Sequence, residues 1–342
     1  MDKEKLILTF LKIFVFVLFP FILVAQIEQQ NSQSVDLSKV DIMLDNETDF
    51  TKVEPGKFSL STEIQEIKTS NTVNTLLISN GICPDAGSYS LIYDLNSDIE
   101  DINMIYEGQN IVLPKIEEDN GFNVQVFIEQ GKHFSIDYKE TFAKLNTKRK
   151  ELIQITNELS EISLNRFSNV ELKTNLIQEI NNTYTAIETI NSNKYPTSKK
   201  VINQSTIEAD FIIGKIRKAI ATENQFSSEF LDSISTYKNF LEEKASDLIF
   251  GKSGMVKTLI KTIKKDGDEE KNLRIWYAPV CDRSFKQQCS DLSSPTHEVI
   301  ARGEYIFWAT KVGDQSHVTD EVTRKIRKQN KDIPIELLVK ED

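Results

Sequence analysis

Apolar positions follow one rhythm in the middle of the chain and another toward its end. From about Tyr138 to Ile249 they fall three and four residues apart. Leu145, Leu152 and Leu159 recur every seven residues behind Phe142. Ile177, Ile180, Tyr184 and Ile187 form a second stripe, and Phe230, Ile234, Tyr237, Leu241 and Leu248 a third. Such spacing lays an apolar face along a helix, and that face must be covered by partners. The rhythm breaks near Asn165–Asn169, near Ser192–Ser198 around Pro196, and near Thr222–Gln225. Four antiparallel helices, or two long interrupted ones, satisfy that pattern, so residues 133–250 are expected to be a helical bundle or coiled coil.

Beyond this segment the period changes to that of strands. Met255–Ile263 alternates, Asp266-Gly267 supplies a turn, and LRIWYAPV (273–280) and EYIFWATK (304–311) are aromatic and β-branched. After a turn at Gly313-Asp314, IPIELLV (333–339) closes the chain. Residues 251–342 are therefore expected to be a β-sandwich. Residues 26–57 are polar and aperiodic, reading as a flexible linker or poorly ordered arm. Phe122–Ile128 (FNVQVFI) alternates as a strand does.

Residues 58–132 read as a small β-α-α-β module. Ile64 and Ile67 mark a short first strand. Thr72 or Asn74 can cap a helix carrying Leu76, Leu77 and Ile82, and Asp85 can cap a second with Tyr89, Ile92 and Leu95 on one face. Gly108-Gln109 turns the chain into Asn110–Leu113, and Pro114 is expected where that strand ends. The fold class is thus multidomain α+β.

The beginning of the chain sets the compartment. Lys3 and Lys5 precede an apolar run, IFVFVLFPFILVA, from Ile13 to Ala25. That run is short of the roughly 20 apolar residues of a membrane span, so residues 1–25 read as a cleaved signal peptide. The rival reading is an uncleaved anchor, against which stands Lys12, costly in mid-membrane. The protein is therefore expected outside the cytoplasm, in the periplasm or on the surface of a bacterium. The net charge of -11 excludes nucleic acid as a partner class, because phosphate binding needs a basic face. Cys281 and Cys289 are close enough in sequence to form a disulfide there, leaving Cys83 over; two reduced, buried thiols are the alternative.

Two family resemblances follow from these residues. Leu95-Asn96, a polar connection, and then Ile105, Gly108, Gln109, Ile111, Leu113 and Pro114 resemble the closing half of a LysM (lysin motif) domain, a βααβ module that binds N-acetylglucosamine-containing glycans. The opening half departs from the family: where it has Gly-Asp-Thr-Leu, this chain has only Thr75-Leu76 after Val73-Asn74. The resemblance implies a groove with Asn71, Thr72, Asn74 and Thr75 facing Ile105, Tyr106, Glu107 and Gly108, where Tyr106 stacks on a sugar and amides beside Gly108 bind an acetamido carbonyl. It also leaves open a fold that has lost its sugar. Ile300, Gly303, Tyr305, Phe307 and Ala309 resemble, loosely, the prealbumin-like and carboxypeptidase-regulatory-like sandwiches of exported proteins. The second assigns no function; the lysin-motif resemblance and the leader imply a non-enzymatic envelope protein whose partners are peptidoglycan or a related glycan and envelope proteins, with a homo-oligomer through the helices as a further option. The alternatives are an adaptor of a secretion or surface-motility machine and a peptidoglycan hydrolase.

Signals for other chemistry are weak. Gly251-Lys252-Ser253 ends like a phosphate-binding loop, but Ser246 stands where its first glycine should. Cys281, Cys289 and His297 lack the paired spacing of structural zinc, and no cofactor or metal is expected. A Cys83–His pair has no surrounding motif. Glu63 and Glu107 are the only carboxylates near the groove that glycan cleavage could use.

Overall fold

A computed structural model describes residues 35–45, 50–53, 56–119, 121–138, 142–192, 194–250, 252–289, 294–314, 316–327 and 333–340. The leader and the first part of the polar arm lie outside the described residues. Among the described residues no helix is long and apolar enough to cross a membrane. The architecture is mixed α+β, with seven α-helices among the described residues and several sheets that are largely antiparallel.

The arm does not read as a linker throughout. Strand β1 (Val40–Asp45) lies between β2 (Phe50–Lys52) and β5 (Phe134–Tyr138), antiparallel to both, with Val40 opposite Tyr138. Its alternating Val40 and Ile42 are buried, as are Phe134 and Ile136 of its partner. A five-residue alternation inside polar sequence carries little local signal, and the strand that completes it is far along the chain.

Strands β3 (Phe58–Glu66) and β4 (Asn110–Glu118) form an antiparallel pair, from Phe58 opposite Glu118 to Glu66 opposite Asn110. Helices α1 (Val73–Ser79) and α2 (Ala86–Leu95) lie between them in sequence. Both begin as the sequence predicts. Thr72 accepts the Thr75 amide and Asp85 accepts the Ser88 amide, each in a reciprocal capping box. Leu76, Leu77, Leu91 and Ile92 are buried with Ile111 and Leu113 of β4. Asn96 ties the end of α2 to β4, its amide donating to the Val112 carbonyl at 2.8 Å and its oxygen accepting the Val112 amide at 2.7 Å. Pro114 does not end the strand: β4 runs on to Glu118, since each member of a two-stranded sheet has an outer edge that tolerates a missing donor. Ile67 lies just past β3 and is buried, whereas Ile64 is exposed.

Phe122–Ile128 is not a strand. Asn123 accepts the Val126 amide and starts helix α3 (Val124–Glu129). The cap overrides a two-residue period only three repeats long, and Phe127 packs edge-on against Phe58.

Four helices follow: α4 (Phe142–Glu161), α5 (Val170–Ile190), α6 (Lys199–Ala221) and α7 (Ser228–Ile249). The helical stretch thus starts after Tyr138, which belongs to β5. Leu145, Leu152, Leu159, Ile180, Ile187, Ile212, Ile216 and Leu241 meet in one core. Cations close two helix ends. The Arg166 guanidinium donates to the carbonyls of Ala219 and Asn224, and the Lys173 ammonium to those of Ser160 and Ile162.

The C-terminal segment builds two sheets. One is ordered β11-β10-β7-β8, from Val322–Ile326, Gly303–Lys311, Leu273–Pro279 and Gln287–Gln288. The other is ordered β12-β6-β9, from Ile335–Leu338, Met255–Ile263 and Thr296–Ala301, with β12 parallel to β6. Ile275, Tyr277, Tyr305 and Phe307 of the first share a core with Val256, Ile260, Ile300 and Leu337 of the second.

Helix α2 approaches β5 so closely that Gly87 has no room for a side chain: a Cβ there would stand 1.8 Å from the Ile136 carbonyl oxygen. Gly214, inside α6, faces open space. Gly87→Ala should therefore lower stability by several kcal/mol, or prevent folding, because backbone must shift. Gly214→Ala should raise it by about 0.5–1 kcal/mol through helix propensity. Chemical denaturation of the two variants, read by circular dichroism, measures both.

Candidate functional site

The two loops at one end of the β3–β4 pair are joined by backbone hydrogen bonds. The Ile67 amide donates to the Gln109 carbonyl at 2.8 Å, and the Gly108 amide donates to the Ile67 carbonyl at 2.9 Å. The first loop folds on itself: Asn71 Oδ1 accepts the Lys68 amide at 2.8 Å, and Ser70 takes a left-handed φ of 73°. The second turns at Gly108, whose φ of 83° suits glycine and whose Cβ position is open. A side-chain bond spans the two, Thr69 Oγ1 donating to Glu107 Oε1 at 2.7 Å. Beside it Tyr106 stands 62% exposed, with Met104 exposed two residues earlier.

Seven of the eight residues expected at a groove (Asn71, Thr72, Thr75, Ile105, Tyr106, Glu107 and Gly108) lie on these loops or at the adjoining helix start. Their polar atoms are largely engaged. Thr72 and Thr75 satisfy one another in the capping box. The amides of Tyr106, Gly108 and Gln109 donate within the turn, to Gln109 Oε1, the Ile67 carbonyl and the Tyr106 carbonyl. Three of the amides around Gly108, where the acetamido site is expected, are thus engaged within the protein.

Asn74 departs altogether. It is 5% exposed, and its amide donates to the Tyr305 hydroxyl at 2.8 Å and the Arg302 carbonyl at 3.0 Å. A Cβ on Gly303 would approach that amide to 3.0 Å. Asn74 therefore fastens α1 to β10 and does not face the loops' open side. Thr69 and Met104 join the surface without any sequence signal, because their positions depend on how the loops close.

The other candidates separate. Cys281 is exposed and Cys289 buried, with no disulfide between them. Among the described residues no three His, Cys, Asp or Glu side chains cluster as metal ligands. Of the Gly251-Lys252-Ser253 sequence, Gly251 lies outside the described residues. Lys252 pairs with Asp247 at 2.6 Å, and Ser253 is buried with its hydroxyl toward the Leu248 carbonyl. Glu63 lies 4.0 Å from the Lys115 ammonium and accepts weakly from Asn80, away from the Thr69–Glu107 pair.

Asn74→Ala leaves the buried Tyr305 hydroxyl and Arg302 carbonyl without their donor, so it should cost about 1–3 kcal/mol of stability. Tyr305→Phe should make the loss less than additive, and urea denaturation of the single and double variants measures that coupling.

Compared with known protein families, curated proteins and solved structures, the chain has no match.

Proposed function

We propose that this chain is an exported, non-enzymatic protein of the bacterial envelope that holds peptidoglycan or another N-acetylglucosamine glycan on the Thr69–Gly108 surface. The observation that carries the reading is the β-α-α-β order with antiparallel outer strands, which joins the 67–72 and 103–109 loops at one end and leaves Tyr106 exposed beside them. Order and loop positions both agree with the lysin-motif resemblance of Ile105–Pro114. Tyr106 offers an apolar face to a sugar ring, and Glu107, steadied by Thr69, offers an acceptor to its hydroxyls. The four helices serve as a rigid spacer. The C-terminal sheets, read as a prealbumin-like β-sandwich, present a second surface to envelope partners.

A second reading, a protein–protein adaptor whose module no longer takes sugar, gains from the engaged amides around Gly108 and from Asn74's use in packing. Co-sedimentation of the purified chain with intact sacculi separates the two. Under the glycan reading the chain pellets, and Tyr106→Ala weakens binding by roughly 5–20-fold, the loss typical of an aromatic anchor. A chain that stays in the supernatant sinks that reading in favour of the adaptor. Loss of turbidity in a cell-wall suspension would instead reveal a hydrolase.

A further inference from the structure

His133 occupies the seam between the βααβ side of the molecule and the turn after β7. Its ring is fully buried and stacks on Phe285, with centroids 3.5 Å apart and planes 2° from parallel. Its Nε2 lies 3.0 Å from Ser284 Oγ. Ser284 in turn donates its hydroxyl and its amide to Asp282 Oδ1, closing the turn. Phe285 covers Cys83, with which it forms a small buried cluster that includes Ile78. Cys83 is anchored to the strand that follows His133, its amide donating to the Phe134 carbonyl at 2.7 Å.

Hydrogen-bond accounting fixes the ring's state. The Asp282 carboxylate only accepts, so the Ser284 proton points to it, and Ser284 Oγ accepts from His133 Nε2–H. The neutral ring then carries a bare Nδ1, which is buried and has no hydrogen-bond partner. Protonation would place an N–H at that atom with no acceptor and a charge in a site closed to water. Among charged neighbours, Asp282 on the turn favours the cation. Lys132, next in the chain, lies over the Phe127 ring, and Asp85 is held by Ser88 and Ser135.

We propose that His133 is an acid-operated latch: neutral, it holds the Asp282–Phe285 turn over Cys83, and on protonation it releases that turn. Burial outweighs Asp282 and lowers the imidazole from its usual 6.5 to about 4. The closed state therefore binds fewer protons than the released one. Its advantage is complete above pH 6.5, shrinks as pH falls, and is gone below about 4. Between pH 7 and pH 5 the closed-to-released ratio falls by about 20-fold. The latch does not depend on the glycan reading.

Labelling of Cys83 by a dithiodipyridine reagent tests it, using the full chain carrying Cys281→Ser, with peptide mapping to separate Cys83 from Cys289. Its rate, relative to the same thiol in denatured chain at each pH, should rise about 20-fold from pH 7 to pH 5. In His133→Gln, whose neutral amide can still donate to Ser284, that relative rate should not change with pH. Equal pH responses in the two chains would overturn the latch. So would far-UV circular dichroism showing the whole chain melting over the same range. If the variant fails to fold, the His133 ring signal in the nuclear magnetic resonance spectrum of the unsubstituted chain decides. Titration well below 6.5 supports the latch, and titration near 6.5 overturns it.

Discussion

Helix Ala86–Leu95 is fastened on several sides, and where the other segments lie depends on those attachments. Asp94 accepts the Lys199 amide at 2.7 Å and the Tyr138 hydroxyl at 2.6 Å, joining the first residue of a bundle helix to the edge of β5. A carboxylate at a helix start also meets the positive end of its dipole. Ser90 accepts the Thr197 amide at 3.0 Å, and Tyr93 donates to the Lys252 carbonyl where the C-terminal sheets begin. Gly87 allows the strand to pass against the helix backbone. One short helix thus contacts the strand layer, the entry to the bundle and the linker to the sheets.

That constraint changes how the parts work together. Modules strung on a linker would each present all their faces. Here α1 gives one face to β10 through Asn74, and the turn after β7 closes on His133 and Cys83. The end of the module carrying Thr69, Met104, Tyr106 and Glu107 stays open. That end is joined to the C-terminal sheets through α1, whose Asn74 meets Arg302 and Tyr305.

Legibility differed from element to element. The bundle stripes and their breaks were readable because a helix encodes its own face within a few turns, and the caps Thr72 and Asp85 were readable because capping is local. At Val40–Asp45 and Phe122–Ile128 the structure departs from the sequence pattern for one reason: in stretches of five to seven residues, period alone does not separate strand, helix and arm. For the first the distant β5 decided, and for the second the Asn123 side chain did. At the site, Tyr106, Glu107 and Gly108 could be named from the motif. That Asn74 turns away could not, since its partners Arg302 and Tyr305 are remote in sequence.

By itself, then, the sequence determined what rests on neighbours along the chain: amphipathic helical stripes and their breaks, two capped short helices, aromatic strands toward the end and a glycine turn beside Tyr106. Only the tertiary structure decided which polar groups remain available. A buried donor must find an acceptor wherever packing supplies one. That requirement drew Asn74 to Tyr305 and His133 to Ser284, pairings that no local pattern contains.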